Sequence, residues 1–527
     1  MSLSRRDVIK AGVFAGATLS LPLSRVVSGQ SALDSRMAAS KLPKPFTTPF
    51  AYPPVAVPVR TDDTTDYYAM HMMPTSAEIV PGYQTMLFGY EGSVPGPTIK
   101  VHQGRRTVVR NCNLLPSTHP TYGYQPYTSV HLHGSASLPQ FDGYASDHTY
   151  PNQFKDYEYP NWQEARTLWY HDHGSHHTAE NVYHGLVGQY HILDPLEQSL
   201  PIPHGVYDVP LIIGDMMFKN DGQLLFTLED DNGVWGDVIT VNGRPWPVMQ
   251  VERRKYRFRI LAATISRSFK LSLDSGEPMA IIGTDGGLMP TPKYVKSFRT
   301  GSAERYEVVI DFSKYPIGRR VILKNTSPKN NEDYANTDKI MAFDVVGEPT
   351  DLSNNSVPDV LNPGEPTMLL QPSQAVTTRQ FLFHRTNGQF KINSKSWKDV
   401  EQSNFQFCLA KPNRGDAEIW EFKNSSGGWF HPVHVHFIDF KILTRNGKPP
   451  SPHELGAKDV VYVGENETVR VLAQFNGRGK YMIHCHNLVH EDHDMMGQFE
   501  MIDPAGPGDD PRGWGPRPMS EDESSPL

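Results

Sequence analysis

The segment "YMIHCHNLVHEDHDMMGQF", Tyr481–Phe499, holds one of the three cysteines of the chain between two histidines. Side chains alternate between the two faces of a β-strand, so Cys485 is expected on one face and His484 and His486 on the other. This arrangement predicts two neighbouring metal sites that share one strand. The segment alone cannot enclose a metal, so the remaining ligands have to come from elsewhere in the chain.

Histidine pairs of the form His-x-His occur in three further places, in "VHLHG", "YHDHG" and "HPVHVH". Residues two apart on a strand project from the same face, so each pair can offer two imidazoles to one metal cluster. One such pair would fit a polar surface strand equally well, but four pairs in one chain indicate a common site. The paired histidines are His131, His133, His171, His173, His434, His436, His484 and His486.

A second group of candidate ligands falls on the face of the cysteine. His431 stands three residues before His434, an odd offset, so on a regular strand it lies with Cys485. His490 and Met495, on the predicted loop after the strand, can fold back toward the thiol. Two histidines, a thiolate and a weak axial methionine describe a blue-copper electron-transfer site.

Cys485 has two other possible roles, as a zinc ligand or as a catalytic nucleophile. Zinc more often takes a closed set of four Cys and His ligands, and it has no use for a thioether. A catalytic thiolate needs an activating base and free access for its substrate, whereas this thiol is surrounded by potential ligands. Both alternatives explain the segment less well than copper does.

The chain as a whole reads as an all-β protein of several domains. Its 527 residues exceed what one hydrophobic core usually supports. Short alternating stretches such as "TVVRNC", "KYRFRIL", "RYEVVIDF" and "ETVRVLAQF" are separated by turn residues, and 44 prolines and 42 glycines leave little room for long helices. These features predict β-sandwiches or Greek-key barrels. A net charge of −8 without any basic run argues against nucleic acid as a partner.

Polar connectors at 194–207 and 347–372 divide the chain. We predict a leader over residues 1–40, β-domains over 45–195, 205–347 and 372–503, and a disordered tail over 504–527. Cys112 and Cys408 are most simply small buried residues, although a bridge between them is left open.

The N-terminus predicts export from the cytoplasm. "SRRDVIK", from Ser4 to Lys10, places twin arginines before the apolar stretch "AGVFAGATLSLPL". That stretch is too short to span a bilayer and resembles a twin-arginine signal, although an ordinary secretory signal remains an alternative. The expected location is the periplasm or the exterior, through the Tat export machinery and without a stable membrane anchor.

The motifs "HLHG", "HDH", "HPVHVH" and "HCHNLVHEDHDM" resemble the four copper motifs of the multicopper oxidases, in the same order. The resemblance implies three cupredoxin-like Greek-key β-barrel domains and four copper ions. It assigns the type 1 copper to His431, Cys485 and His490 with Met495 axial, the type 2 copper to His131 and His434, and the type 3 pair to His133, His171, His173, His436, His484 and His486.

Within that family, segments such as "FDGYASD", "ARTLWYHDH" and "WGDVITVNGRPWP" resemble the bilirubin oxidases, and the chain is also similar to bacterial spore-coat laccases. By this resemblance Asp142 and Glu491 relay protons, although a turn or an acidic loop would also account for them. Asn487 would tune the type 1 site. Trp429 would lie near the substrate, either linked covalently to His431 or merely packed over the copper.

The implied activity is the one-electron oxidation of an organic donor coupled to the four-electron reduction of dioxygen to water. The expected donors are bilirubin-like tetrapyrroles, phenols and aromatic amines. A laccase-like or Cu(I)/Fe(II) oxidase is the first alternative, and a copper-binding periplasmic protein without turnover is the second. The protein is expected to act as a monomer.

Overall fold

The computed structural model describes residues 35–227 and 232–503, together with the backbone of 517–518. Within these ranges the chain is mostly β-strand, as predicted, and no helix exceeds six residues. The α-helices are α1 (Thr178–Tyr183), α2 (Pro195–Ser199), α3 (Pro366–Leu369), α4 (Trp397–Gln402) and α5 (Leu488–Asp492). Single 3₁₀ turns lie at Ala39–Lys41, Pro139–Phe141, Gly205–Tyr207, Phe312–Lys314, Pro372–Gln374 and Pro452–Glu454.

The first nine strands form two sheets around a shared core. They are β1 (Arg60–Thr61), β2 (Thr65–Ala77), β3 (Thr85–Tyr90), β4 (Ile99–His102), β5 (Arg106–Asn113), β6 (Val130–His133), β7 (Gln153–Tyr159), β8 (Arg166–Asp172) and β9 (Val187–Leu193). One sheet has the order β1-β2-β5-β7, with β3 beside β2, and the other has the order β4-β9-β8-β6. Buried side chains such as Met72, Phe88, Leu168 and Tyr190 come from both sheets, so the core lies between them.

The middle of the chain forms a second pair of sheets. Its strands are β10 (Asp208–Met216), β11 (Val238–Val241), β12 (Arg244–Pro245), β13 (Val248–Glu252), β14 (Lys255–Ala262), β15 (Phe269–Leu273), β16 (Met279–Thr284), β17 (Gly287–Val295), β18 (Ser297–Thr300), β19 (Arg305–Asp311), β20 (Arg320–Asn325) and β21 (Lys339–Gly347). The orders are β12-β11-β10-β14-β19-β16-β17 and β13-β21-β20-β15-β18.

The last pair of sheets carries the cysteine motif. Its strands are β22 (Ala375–Thr386), β23 (Gln389–Ile392), β24 (Ala417–Asn424), β25 (His431–Val435), β26 (Phe440–Arg445), β27 (Val460–Val463), β28 (Thr468–Gln474), β29 (Gly479–Cys485) and β30 (Met496–Met501). The orders are β23-β22-β24-β28-β26 and β27-β25-β29-β30. A core of buried aromatic and aliphatic residues, with Cys485 and Met495 among them, lies between the sheets.

The strand register brings the histidine motifs together in pairs. Strands β6 and β8 are antiparallel neighbours with His131 opposite His171. Strands β25 and β29 are likewise neighbours, with His434 opposite His484. The four motifs therefore lie on two sheets, one from the beginning and one from the end of the chain.

Some local expectations need correction. His490 and Glu491 lie on the short helix α5 rather than on a loop, because the Asn487 side chain caps its first turn by accepting from the main-chain N–H of Val489. Cys112 is buried as expected, but Cys408 is only half-buried, and the two are not bridged.

The predicted termini are described only in part. The twin-arginine segment lies outside the described residues. Of the tail predicted to be disordered, the structure describes the backbone of Arg517–Pro518, as strand β31, which pairs with β7. No helix in the described ranges is long and apolar enough to span a bilayer.

Candidate metal centre

The eight paired histidines form one buried cluster where the β6–β8 sheet meets the β25–β29 sheet. Three pairs of Nε2 atoms approach closely in the cluster, and the first two of them cross this boundary. The separations are 3.4 Å for His131 and His434, 3.2 Å for His173 and His484, and 3.1 Å for His436 and His484. Four segments distant in sequence thus contribute to one site.

Main-chain carbonyls fix the protonation of three of these rings. A carbonyl oxygen can only accept a hydrogen bond, so an Nδ1 atom that faces one carries the proton and leaves the lone pair on Nε2. The pairs are His131 Nδ1 with the Asp142 carbonyl, His171 Nδ1 with the Asp172 carbonyl at 2.7 Å, and His434 Nδ1 with the Asp459 carbonyl at 2.9 Å. These rings are held ready to bind a cation through Nε2.

The ring nitrogens of the cluster are placed to bind a metal and not to hydrogen-bond to one another. The Nε2 atoms of His131 and His434 both carry lone pairs, yet they face each other at 3.4 Å without a proton between them. The Nε2 atoms of His171 and His486 are buried and have no hydrogen-bond partner. Buried acceptors are normally satisfied, and bound cations would satisfy these nitrogen atoms.

His133 is oriented differently from the rings just described. Its Nε2 atom lies 3.2 Å from Oδ1 of Asp459, whereas its Nδ1 atom is buried without a hydrogen-bond partner. The carboxylate favours a proton on Nε2, so the lone pair of His133 lies on Nδ1. This ring would therefore bind a metal through Nδ1.

Cys485 lies on the opposite face of β29, with the second group of predicted ligands. Its Sγ atom is 3.2 Å from His431 Nδ1 and 3.5 Å from His490 Nδ1, and all three side chains are buried. The main-chain N–H of Asn487 donates to the same sulfur at 3.4 Å. Burial raises the pKa of this thiol well above its ordinary value, so a thiolate here needs a metal cation beside it.

Met495 is held beside this group by its backbone. The N–H of Cys485 donates to its carbonyl at 3.1 Å, and its own N–H donates to the carbonyl of His490 at 2.9 Å. The thioether side chain is fully buried in the same core as the cysteine.

Aromatic residues cover the outer side of the cysteine group. Phe390 stacks on the ring of His490, with 4.0 Å between centroids, and the Trp429 ring lies 5.9 Å from His490. The guanidinium of Arg385 lies 5.1 Å from the Phe390 ring and 5.7 Å from that of Trp429. The covalent link between Trp429 and His431 stays a prediction.

The two carboxylates predicted to relay protons both contact cluster histidines. Oδ2 of Asp142 is 2.8 Å from His436 Nδ1, and Oε2 of Glu491 is 2.8 Å from His484 Nδ1. Burial raises the pKa of Asp142 well above its ordinary value. Burial acts in the same direction on Glu491, but His484 and His173 outweigh it and hold the pKa of Glu491 below its usual range.

Several neighbours of the cluster were not predicted from the sequence. Trp169 stacks on His171 with 4.0 Å between centroids, and Asp172 bonds that ring through its carbonyl. Trp169 directly precedes "YHDH" and Asp172 lies within it, so their position at a motif could have indicated them. Asp459 lies in "KDVV", outside every motif, and Arg305 is in the part of the chain without candidate ligands. Nothing in the sequence pattern indicated either of them.

The chain forms three consecutive pairs of sheets. One face of β29 contributes to the cysteine group and the other face to the eight-histidine cluster, so the structure has the features of a metalloprotein with two adjacent sites. Multicopper oxidase family models match residues 72–197, 207–343 and 369–504. A bilirubin oxidase from Albifimbria verrucaria is 42% identical over 483 residues, which is 86% of this chain and 81% of that protein. A laccase from Bacillus subtilis (strain 168) is 33% identical over 518 residues, 87% of this chain and 99% of its own.

The crystal structure of a laccase from Pediococcus acidilactici is also similar, with a TM-score of 0.77 at 29% identity over 88% of this chain and 95% of that one. The chain belongs to the multicopper oxidase family. The predicted cupredoxin-like fold, oxidase class and copper cofactor are thereby confirmed, and the family binds four coppers of types 1, 2 and 3.

Proposed function

We propose that this multicopper oxidase oxidises small organic reductants, namely bilirubin-like tetrapyrroles, phenols and aromatic amines, with dioxygen as the acceptor. The observation that carries the proposal is the position of Cys485 between His484 and His486, because one strand thereby joins the thiolate group to the histidine cluster. A bilirubin oxidase and a laccase among its relatives support this range of donors.

The proposed ligands follow from the two groups of side chains. His431, Cys485, His490 and Met495 would hold the type 1 copper; His131 and His434 would hold the type 2 copper; His133, His171, His173, His436, His484 and His486 would hold the type 3 pair. When bound, copper supplies one-electron transfer from the reductant and the four-electron reduction of dioxygen to water.

The chain itself connects and insulates these two sites. The Cys485 side chain and the two flanking imidazoles are linked through a few backbone bonds, so the two ligand groups are covalently continuous. Asp142, whose pKa is raised, can hold a proton beside the cluster, and Glu491, whose pKa is lowered, can accept one there. Burial of the cluster keeps bulk water away from it.

The surroundings of His490 support an organic reductant. Trp429 is partly exposed beside this ring, next to the buried Phe390, and Arg385 adds a positive charge near both aromatic rings. Such a surface suits a planar donor with a carboxylate, which the guanidinium can pair with.

A metal oxidase is the second candidate, because Asp399, Asp492 and Asp494 line a cavity of about 330 Å³ next to Phe390.

Oxygen consumption by the copper-loaded enzyme separates these candidates. We expect uptake with bilirubin and with a methoxyphenol, and little with Fe(II) or Cu(I). A preference for Fe(II) or Cu(I) would overturn the organic donor. No uptake with any of the four would leave a copper-binding protein without turnover.

Arg385→Gln is expected to raise the KM for bilirubin about tenfold, the effect of losing one charge-assisted hydrogen bond. The KM for an uncharged methoxyphenol should stay near its original value, because that donor has no carboxylate. Equal changes for both donors would mean that Arg385 acts on the site as a whole.

Asn487→Ala is expected to destabilise the protein by about 1 kcal/mol, the usual effect of losing a helix N-cap. It should also shift the reduction potential of the type 1 site, since α5 carries His490 and the Asn487 Nδ2 atom lies 3.2 Å from His490 Nε2. Denaturant unfolding and a redox titration measure the two effects. Ser396→Ala removes the cap of α4 and serves as the matched control, with a similar loss of stability and an unchanged potential.

We also propose that the chain is exported in folded form to the periplasm or beyond by the twin-arginine route. Replacing Arg5 and Arg6 with lysine is expected to leave the precursor inside the cell, whereas Lys10→Arg should not. Fractionation of cells that express each form measures this. Normal export of the double variant would indicate an ordinary secretory signal.

We further propose that the protein acts as a monomer, because both ligand groups are complete within one chain. Sedimentation of the copper-loaded enzyme at several concentrations tests this.

A further inference from the structure

The guanidinium of Arg305 lies where all three pairs of sheets meet. Arg305 begins strand β19 of the middle pair, and its side chain is fully buried. Its Nε atom donates to the carbonyl of Thr167 on β8 at 3.0 Å, and Nη1 donates to Oδ1 of Asp459, just before β27, at 2.6 Å. Further bonds reach the carbonyls of Ala303 and Asp285. One side chain therefore joins the two ligand-bearing parts of the chain to the middle part.

Asp459, which is bound by Arg305, also contacts two histidines of the cluster. Its Oδ1 atom lies 3.2 Å from His133 Nε2, and its carbonyl oxygen lies 2.9 Å from His434 Nδ1. Its main-chain N–H donates to Oδ2 of Asp285 at 3.2 Å. Asp459 is thus held through its side chain, its carbonyl and its N–H, and it faces two rings at once.

The same carboxylate is also a competitor for the metal. Its oxygen and the ring nitrogens of His133 and His434 lie within 4.8 Å of one another, close enough to act as ligands of one ion. Both carboxylate oxygens, however, are engaged by the two terminal nitrogens of Arg305. A planar guanidinium makes this forked contact, and a lysine ammonium cannot.

Gly134 is a second observation in support of the Arg305–Asp459 ion pair, because its lack of a side chain leaves room for both charged groups. Gly134 directly follows His133 and has a φ of +87°. A Cβ atom there would lie 2.6 Å from Arg305 Nη2 and 2.7 Å from Asp459 Oδ2. The residue after the ligand motif therefore has to be glycine for the ion pair to fit beneath the cluster.

We propose that Arg305 is a positioning residue for the histidine cluster. By holding both oxygens of Asp459, it keeps that carboxylate as a hydrogen-bond acceptor for His133 and prevents it from becoming a metal ligand. His133 is thereby fixed with its lone pair on Nδ1, and His434 with its lone pair on Nε2. The middle part of the chain, which supplies no ligand, thus helps to set the coordination of the type 2 and type 3 ions. This inference rests on the proposed ligand set.

Arg305→Lys tests the proposal in the copper-loaded enzyme. The type 1 absorption should be retained, because Cys485 faces the other side of β29. The type 2 electron paramagnetic resonance spectrum should change, and the affinity of the cluster for copper should fall about 10- to 100-fold, as is usual when a partner of a metal ligand is altered. Asp459→Asn should change the same spectrum.

Arg257→Lys is the matched control, because Arg257 is equally buried and bonds to Glu197 and Glu307, which contact no cluster histidine. A native type 2 spectrum and native copper retention in Arg305→Lys would overturn the proposal, as would an equal change in Arg257→Lys. If Arg305→Lys does not fold, Arg305→Met combined with Asp459→Asn removes both buried charges, and the same comparison applies. Absence of a type 2 signal in the unaltered protein would instead refute the ligand assignment.

Discussion

Cys485→Ser is expected to abolish turnover and the intense blue absorption of the type 1 site. Serine does not supply the thiolate on which that site depends, and the neighbouring His431 and His490 cannot hold the ion in the same geometry alone. The ligands of the cluster lie on the other face of β29, so the other three coppers should remain and the content should fall from four to three. Metal analysis, visible absorption and oxygen uptake measure the three effects.

Cys408→Ser is the control for this substitution. Cys408 is half-buried beside Glu500 and lies outside both ligand groups, so copper content and turnover should stay unchanged. Blue absorption that persisted in Cys485→Ser would show that the thiol is not a ligand. Loss of all four coppers would show that the two sites fold as one unit.

Asp142→Asn is expected to lower turnover about 10²-fold, because an amide cannot pass a proton on as a carboxyl group does. The amide can still hydrogen-bond to His436, so the cluster should keep its copper. Reduction of the type 1 site by the donor without oxygen should stay fast, and reoxidation by oxygen should become slow. Stopped-flow absorption separates these two stages.

Asp492→Asn serves as the comparison. Asp492 is also buried and its pKa is also raised well above the ordinary value, but its carboxylate accepts from the main-chain N–H groups of Thr178 and Ala179 instead of contacting a histidine. Near-normal turnover is expected for this variant. Near-normal turnover of Asp142→Asn as well would exclude Asp142 from the proton path.

Strand alternation predicted much of the candidate site. It placed Cys485 and His431 on one face and the paired histidines on the other, and the structure has both groups there. This succeeded because the period of a strand is local and β25 and β29 are regular across their ligands. The short strands of the core, such as β5 and β19, were also evident, since their alternation is bounded by turn residues.

Contacts between distant segments were beyond sequence reasoning. The Arg305–Asp459 pair joins residues 154 positions apart, and neither stands in a metal motif. His133 would bind a metal through Nδ1 because its Nε2 atom faces the Asp459 carboxylate. This orientation of the ring could not be predicted from "HLHG". Helix α5 was missed because one turn of helix leaves almost no periodic pattern, although the Asn487 cap was available as a signal.

The placement of the cluster on two sheets from opposite ends of the chain also governs when the enzyme can mature. About 260 residues separate His173 from His434, so at ordinary rates of synthesis the ribosome works for tens of seconds before the second half of the cluster exists. A nascent chain of the first two pairs of sheets has only half of the imidazoles and no thiolate. Copper delivered during translation would meet an incomplete set of ligands, so productive loading has to wait for release of the finished chain.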